Sequence, residues 1–362
     1  MTDHKTGSLN TRQSTTVGLT SKQCGMLHGA PLHLITLQNE SISIHITNLG
    51  CTLMSIYTPD RNGVMKNIVA GFEQPADYAN NPWYFGCVVG RYANRIAGGR
   101  FMLDGQPIQL TVNNDNNHLH GGFNGFHTKV WALDSLIREG EQAGVVLEYT
   151  SKDGEEGYPG NLQAKVHYVL NQQNQLVITY TAVTDKRTPV NFTNHSYFNL
   201  SGFEQPLVTE HVLQVNAAYY TEKNAQNVPT GRILPLAGTG ADLSVPTRIG
   251  KRINDFLQDK GFDHNYVLSQ GPGPVAVLED PHTGRYLKVF TDQPGMQVYT
   301  ANYWDGSIVG QQGKVYVQHG AVALETQAFP DSPNHAEFPD TVLEPGEVYE
   351  AVTIYEFGVT RH

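Results

Sequence analysis

Short alternations of apolar and polar residues recur along this chain with a period of two. Ile42, Ile44 and Ile46 alternate with Ser43, His45 and Thr47, the pattern of a strand with one buried face. Runs of similar character span 145–150, 164–170, 176–183, 211–215, 275–278, 286–290, 297–300, 314–318 and 351–357. Gly, Pro, Asn or Asp separates most of them, and Pro59-Asp60-Arg61-Asn62-Gly63 reads as a turn. Helical periodicity is weak, and its best candidate is one short helix over 251–258. Many strands without intervening helices predict an all-β protein, a large antiparallel sandwich or barrel-like fold with few short helices. No repeat and no compositional break marks a linker. The expectation is a flexible polar tail over 1–20 and a single domain over 21–362.

Composition narrows the partners. The 362 residues carry a formal net charge of −10, which argues against nucleic acid or an anionic membrane and leaves a neutral ligand such as a sugar. The 36 Gly and 19 Pro are spread along the chain, as many turns require. Cys24, Cys51 and Cys87 are widely spaced and form no Cys-x-x-Cys pair, so neither a zinc ribbon nor a disulfide framework is indicated. Residues 1–23 are polar with no apolar core of a secretory signal, and no apolar run is long enough for a membrane span. Reduced thiols and a cytoplasmic setting are the expectation.

Five polar segments carry candidate chemistry. Glu325 interrupts the apolar run Val322-Ala323-Leu324, where an ionised carboxylate is costly unless it is paired or working. Its bland alternative is a strand-edge carboxylate facing water. The stretch 90–100 holds Arg91, Arg95 and Arg100 with Asn94, either a clamp for hydroxyls or anions or a turn with surface guanidinium groups. His118 and His120 project to one side if the chain there is extended, which permits a metal. A bare His-x-His reads first as hydrogen-bonded neutral imidazoles, and only then as ligands or as donors to a bound hydroxyl. In 191–200, His195 would share a strand face with Thr193 and Tyr197, as a core residue or a proton donor near neutral pH. Asp263 sits near aromatics and taken alone reads as a turn residue. The three carboxylates of 153–160 read as solvated.

Taken together, these segments resemble the aldose 1-epimerases, also called galactose mutarotases. The match rests on Gly90-Arg-Tyr-Ala-Asn-Arg-Ile96, Leu119-His-Gly-Gly122, Asp153-Gly-Glu-Glu-Gly-Tyr-Pro-Gly160, Thr193-Asn-His-Ser-Tyr-Phe-Asn-Leu200, Gly261-Phe-Asp-His-Asn265, Pro294-Gly-Met-Gln-Val-Tyr-Thr300, and Leu324-Glu-Thr-Gln327 with Phe329-Pro-Asp-Ser-Pro-Asn334. Each is modest alone; seven in the family's order cover nearly the whole chain. The resemblance implies a large antiparallel β supersandwich, with Glu325 as catalytic base and His195 as general acid. It also implies sugar-hydroxyl contacts from Asn94, Arg95, His120 and Asp263, and a pocket position for Gln297. It implies a monosaccharide substrate and neither metal nor cofactor; the expected assembly is a monomer or homodimer. One departure lies at 240–244, where Ala241 and Leu243 flank Asp242 in place of the family's aromatics. Altered packing near the sugar is expected there.

The residue types suit the implied reaction. The C1 hydroxyl of a cyclic aldose loses a proton as the ring oxygen gains one, the C1–C2 bond turns, and the ring recloses on the other face. The pair must then start with Glu325 ionised and His195 protonated. Three other readings stay open: a sugar-6-phosphate epimerase using Arg91, Arg95 and Arg100, a glycoside hydrolase using Glu325 with Asp263, and a binding-only carbohydrate protein.

Overall fold

The structure, a computed structural model, describes residues 16–360. It is built of antiparallel sheets, three of them large. Nine strands run in the order Ala132–Glu139, Gln142–Ser151, Leu162–Asn171, Gln175–Thr184, Tyr349–Val359, Arg285–Thr291, Ala276–Glu279, Val212–Val215 and Thr247–Arg248. Six more run Tyr197–Phe198, Val322–Gln327, Gly295–Tyr299, Asp263–Leu268, Ala217–Lys223 and Pro229–Pro235. A five-stranded meander begins at Gly18 and ends at Asn67. One continuous core draws on all three. Ile44 and Ile46 enter from the meander, Val145, Val166, Ile178 and Leu287 from the nine strands, and Met296, Val298 and Leu324 from the six. Each such buried side chain contributes ~1.5–3 kcal/mol relative to exposure. This is the large antiparallel sandwich that the period-two pattern predicts, and every predicted run overlaps an observed strand.

Two expectations change. The helix over 251–258 is two short 3₁₀ turns, Ile249–Lys251 and Ile253–Asp255. Ile249 and Ile253 are buried in the core there, with Phe256 packed against it, and Gly250 and Asn254 are weak helix formers. The tail expected over 1–20 takes in residues that are already in a strand, because Gly18–Leu27 pairs with Ala30–Gln38; residues 1–15 lie outside the described residues. Among the described residues no helix is long and apolar enough to cross a membrane.

The departure at 240–244 belongs to the core rather than to a ligand site. Ala241 and Leu243 are buried in the main cluster, and the Ala241 carbonyl accepts a hydrogen bond from the Tyr266 hydroxyl at 2.7 Å.

Arg91 is structural too. It is 2% exposed, and its guanidinium donates to the Ser151 hydroxyl and to the carbonyls of Ser151, Lys152, Pro159 and Gly160 at 2.8–2.9 Å. It thereby ties 153–160 to the chain. The carboxylates there are not simply solvated: Glu155 accepts from the Tyr149 and Ser151 hydroxyls, Glu156 from the Asn124 amide, and Asp153 from the Gly160 amide. Replacing Arg91 with Met leaves these buried carbonyls without donors. The expected loss is about 3–5 kcal/mol of unfolding free energy, read by urea denaturation; a loss below ~1 kcal/mol contradicts the account.

Candidate active site

Glu325 is not on a strand edge. Its strand lies between Tyr197–Phe198 and Gly295–Tyr299, and both faces are covered. Val322 and Leu324 point into the main core. The alternate face carries Ala323 into a second, aromatic-rich cluster and Glu325 to a cavity of about 290 Å³. Register sets the neighbours: Gln297 pairs with Glu325, Tyr197 with Ala323, and Asp263 with Tyr299. Three adjacent strands therefore deliver Glu325, Gln297 and Asp263 to one wall, although the sequence separates them by dozens of residues. Below them sits a block of aromatic rings. Phe85, Trp304 and Tyr197 meet at 4.9–5.6 Å between centroids, and the Tyr197 ring lies 4.7 Å from His195.

Two loops supply the opposite wall through backbone conformations that side chains seldom adopt. Asn94 has φ +62° and His120 φ +50°. The two interlock: the His120 amide donates to the Asn94 carbonyl at 3.0 Å, and the Asn94 amide donates to His120 Nδ1 at 3.1 Å. Nδ1 is thus an acceptor, so the neutral ring carries its proton on Nε2. Gly121 permits this close approach, because a Cβ there would collide with the Gly90 carbonyl. The half-buried Arg95 is steered by Asn114, whose Oδ1 accepts from its Nε at 3.1 Å.

His118 and His120 do not project to one side, as an extended chain would require, since His120 turns into the left-handed region. Both His118 ring nitrogens are used in the core: Nδ1 donates to the Thr111 carbonyl at 2.6 Å, and Nε2 accepts from the Tyr158 hydroxyl at 2.7 Å. His120 instead meets His195, their rings 5.2 Å apart. His195 and Tyr197 both reach the cavity, whereas Thr193 does not line it, because the stretch is two short strands broken at His195.

Burial dominates the electrostatics. Glu325, 2% exposed, is pushed well above the usual carboxylate range, first by burial and then by the negative charge of Asp263. Burial also pulls the His195 imidazolium down to about 4, against backbone hydrogen bonding and the pull of Asp263. Asp263 goes the other way. Burial alone would raise it, but Lys223, Arg95 and the Gln297 amide, which donates to its Oδ1 at 2.6 Å, hold it low and ionised. His195 Nε2 stands 3.5 Å from Glu325 Oε1. Three buried atoms at this spot have no protein partner: Glu325 Oε2, His195 Nδ1 and Gln297 Oε1. Unpaired buried polar atoms are costly and cluster where a ligand completes them.

All seven candidate residues line this one cavity: Glu325, His195, Asn94, Arg95, His120, Asp263 and Gln297. Arg91 and Arg100 do not join Arg95; the first is spent on loop carbonyls and the second is exposed. Pattern reading missed the aromatic lining, notably Trp83, Tyr84 and Tyr303. The Tyr84 ring lies 4.8 Å from that of His120 and 6.0 Å from that of His195. Its only signal in the sequence is a Pro-Trp-Tyr-Phe run just ahead of the Arg-rich segment. His120, His195 and Glu325 also offer three potential metal-ligand atoms within 4.8 Å of one another.

Residues 33–356 match the family model described as Aldose 1-epimerase. The chain belongs to the aldose 1-epimerase family. Relatives in this family include a galactose mutarotase of Mus musculus, 41% identical over 333 residues that cover 91% of this chain and 95% of that protein. An aldose 1-epimerase of Escherichia coli strain K12 is 36% identical over 341 residues, covering 91% and 96%. Among solved structures, the galactose 1-epimerase of Lactobacillus acidophilus NCFM superposes with a TM-score of 0.85 at 27% identity, covering 96% of this chain and all of that one. The aldose 1-epimerase fold is thus shared over almost the full described length.

Proposed function

We propose that this chain interconverts the α and β anomers of aldohexoses such as galactose and glucose, with Glu325 as base and His195 as acid. One observation carries the reading: a buried carboxyl and a buried imidazole, 3.5 Å apart, face a sugar-sized cavity with unpartnered polar atoms. The family's relatives, named for this reaction, support it. Arg95 is the one cationic side chain lining the cavity among the described residues, poor provision for a phosphorylated sugar. Three free cysteines support the cytoplasmic setting, and the continuous core supports treating the described residues as one domain.

The pair's proton count gives the mechanism its shape. Ionised Glu325 with protonated His195 and neutral Glu325 with neutral His195 hold the same single proton, differently placed. Burial favours the neutral arrangement in the empty site. With cyclic sugar bound, the ionic arrangement acts: Glu325 takes the C1 hydroxyl proton, the C1–ring oxygen bond breaks, and that oxygen takes the proton of His195. The open-chain aldehyde then faces a neutral pair, the state the protein itself prefers. After rotation about C1–C2 the two protons return to the groups that gave them. Asn94, Arg95, His120, Asp263 and Gln297 hold the remaining hydroxyls meanwhile.

Polarimetry on freshly dissolved α-D-galactose and α-D-glucose tests the reading: the protein accelerates the decay of rotation, and no acceleration with either sugar overturns it. The profile of kcat/KM against pH should be a bell. It falls on the acid side toward pH 4, where His195, pulled to about 4, takes a second proton onto the pair. It falls on the alkaline side as the pair loses its only proton, above the ordinary carboxylate range because the Glu325 value is raised. An acid limb near pH 7 would show that His195 is not suppressed.

A further inference from the structure

We propose that Asp331 is a positioning residue for the sugar: its carboxyl clasps the backbone beside Arg95 and so sets where that guanidinium stands relative to Glu325. The inference rests on the assignment of this cavity as the active site. No side chain of the segment Phe329-Pro-Asp-Ser-Pro-Asn334 lines the cavity, although it is part of the motif that carries Glu325. Asp331 is 1% exposed, and a buried carboxylate is costly unless its oxygens are engaged. Here both are. Oδ1 accepts from the Ala97 amide at 3.0 Å and from Asn334 Nδ2 at 2.6 Å, and His335 Nε2 stands 3.2 Å from Oδ2. The Asp331 amide completes the clasp by donating to the Arg95 carbonyl at 2.9 Å. Asn334 Nδ2 also donates to the Arg100 carbonyl at 3.0 Å, so one short segment is gripped at Arg95, Ala97 and Arg100.

The clasp joins the two walls of the cavity. Asp331 lies on the chain that runs on from Val322–Gln327, the strand of Glu325. Between them the Phe329 carbonyl accepts from the Tyr92 hydroxyl at 3.0 Å, and the Ala328 amide donates to Asn191 Oδ1 at 2.9 Å. On the other wall the strand Arg95–Ile96 is only two residues long and pairs with His118–Leu119, so its own ladder holds it weakly. Asn114 steers the Arg95 side chain, and Asp331 fixes the backbone from which that side chain springs. A misplacement of ~1 Å in a positioning group can cost ~100-fold. The backbone at Asp331 also allows informative replacements. Its φ is +59°, a region that Gly enters freely and Asn tolerates. Asp331→Gly therefore keeps the turn and deletes the carboxyl, leaving the Ala97 amide without its acceptor. Asp331→Asn keeps both the turn and an acceptor oxygen.

The test compares the wild type with these variants by polarimetry and by the fluorescence of Trp83, which lines the cavity, on galactose titration. Melting curves confirm that each variant folds. Asp331→Gly should raise KM and the Kd for galactose at least ~10-fold. Its kcat should fall by less, because Arg95 holds hydroxyls that do not react. Asp331→Asn should stay near the wild type. Arg95→Met should raise KM too, and adding Asp331→Gly to it should raise KM no further, since the carboxyl acts through Arg95. A structural role alone gives a different signature: fewer active molecules lower kcat at unchanged KM, and that cost recurs in the Arg95→Met background. This signature overturns the proposal, as does an Asp331→Asn variant as weak as Asp331→Gly. If the wild type binds galactose without turning it over, the functional reading falls, and the affinities of the variants still decide the clasp. No galactose binding at all overturns both.

Discussion

Glu325→Gln should abolish mutarotation while leaving the protein folded and able to bind sugar. The amide keeps the size of the carboxyl but cannot take the C1 hydroxyl proton. A positioned base contributes on the order of 100- to 10,000-fold, and kcat should fall by that factor. Stability should not fall with it. Glu325 is buried with Oε2 unpartnered and its ionised form disfavoured, so a neutral amide relieves a cost that the native side chain imposes on the fold. Trp83 lines the cavity, and its fluorescence on galactose titration gives a binding readout without turnover. Unchanged kcat in the variant removes Glu325 from the base role. Lost sugar binding with lost activity makes it a binding residue.

His195→Asn should cost kcat by a comparable factor, again on the order of 100- to 10,000-fold, with KM little changed. The asparagine can still donate a hydrogen bond to the ring oxygen but cannot deliver a proton as that oxygen departs. A structural role for His195 also has support, since its ring lies against Tyr197, Tyr84 and His120. The split between kcat and KM separates the two roles. A raised KM with kcat preserved makes His195 a binder. A second readout is the pH profile: without the imidazole, the acid limb near 4 should disappear from the residual rate. His195→Ala adds a third, because the space left by the ring sits in an accessible cavity where added imidazole can restore part of the rate. A packing defect would not respond to it.

These two variants bear on the part of the site that the sequence exposed most clearly. Glu325 stands out because a carboxylate inside Val-Ala-Leu is expensive, and that local cost is visible in any linear reading. The strands are visible for a similar reason: alternation such as Ile42, Ile44 and Ile46 encodes which side of a sheet is dry. Family motifs added the remaining candidates, and all seven line one cavity.

Other features were decided only by the tertiary structure. Whether Arg91, Arg95 and Arg100 act together depends on which carbonyls lie nearby, and Arg91 finds the backbone of 151–160 while Arg95 finds Asn114. Whether His118 and His120 share a side depends on one backbone angle, which long-range packing of Gly121 on Gly90 imposes. The departure at Ala241 and Leu243 belongs to the core, because the folded chain carries that segment away from the cavity. The protonation of the pair is the deepest case. In isolation Glu325 would be ionised and His195 would titrate near neutrality. Burial, a property of the assembled sandwich and of no residue by itself, reverses both preferences and leaves the two groups sharing one proton. Side-chain chemistry is local and therefore readable along the chain; desolvation and register are collective and exist only once the sheets have closed.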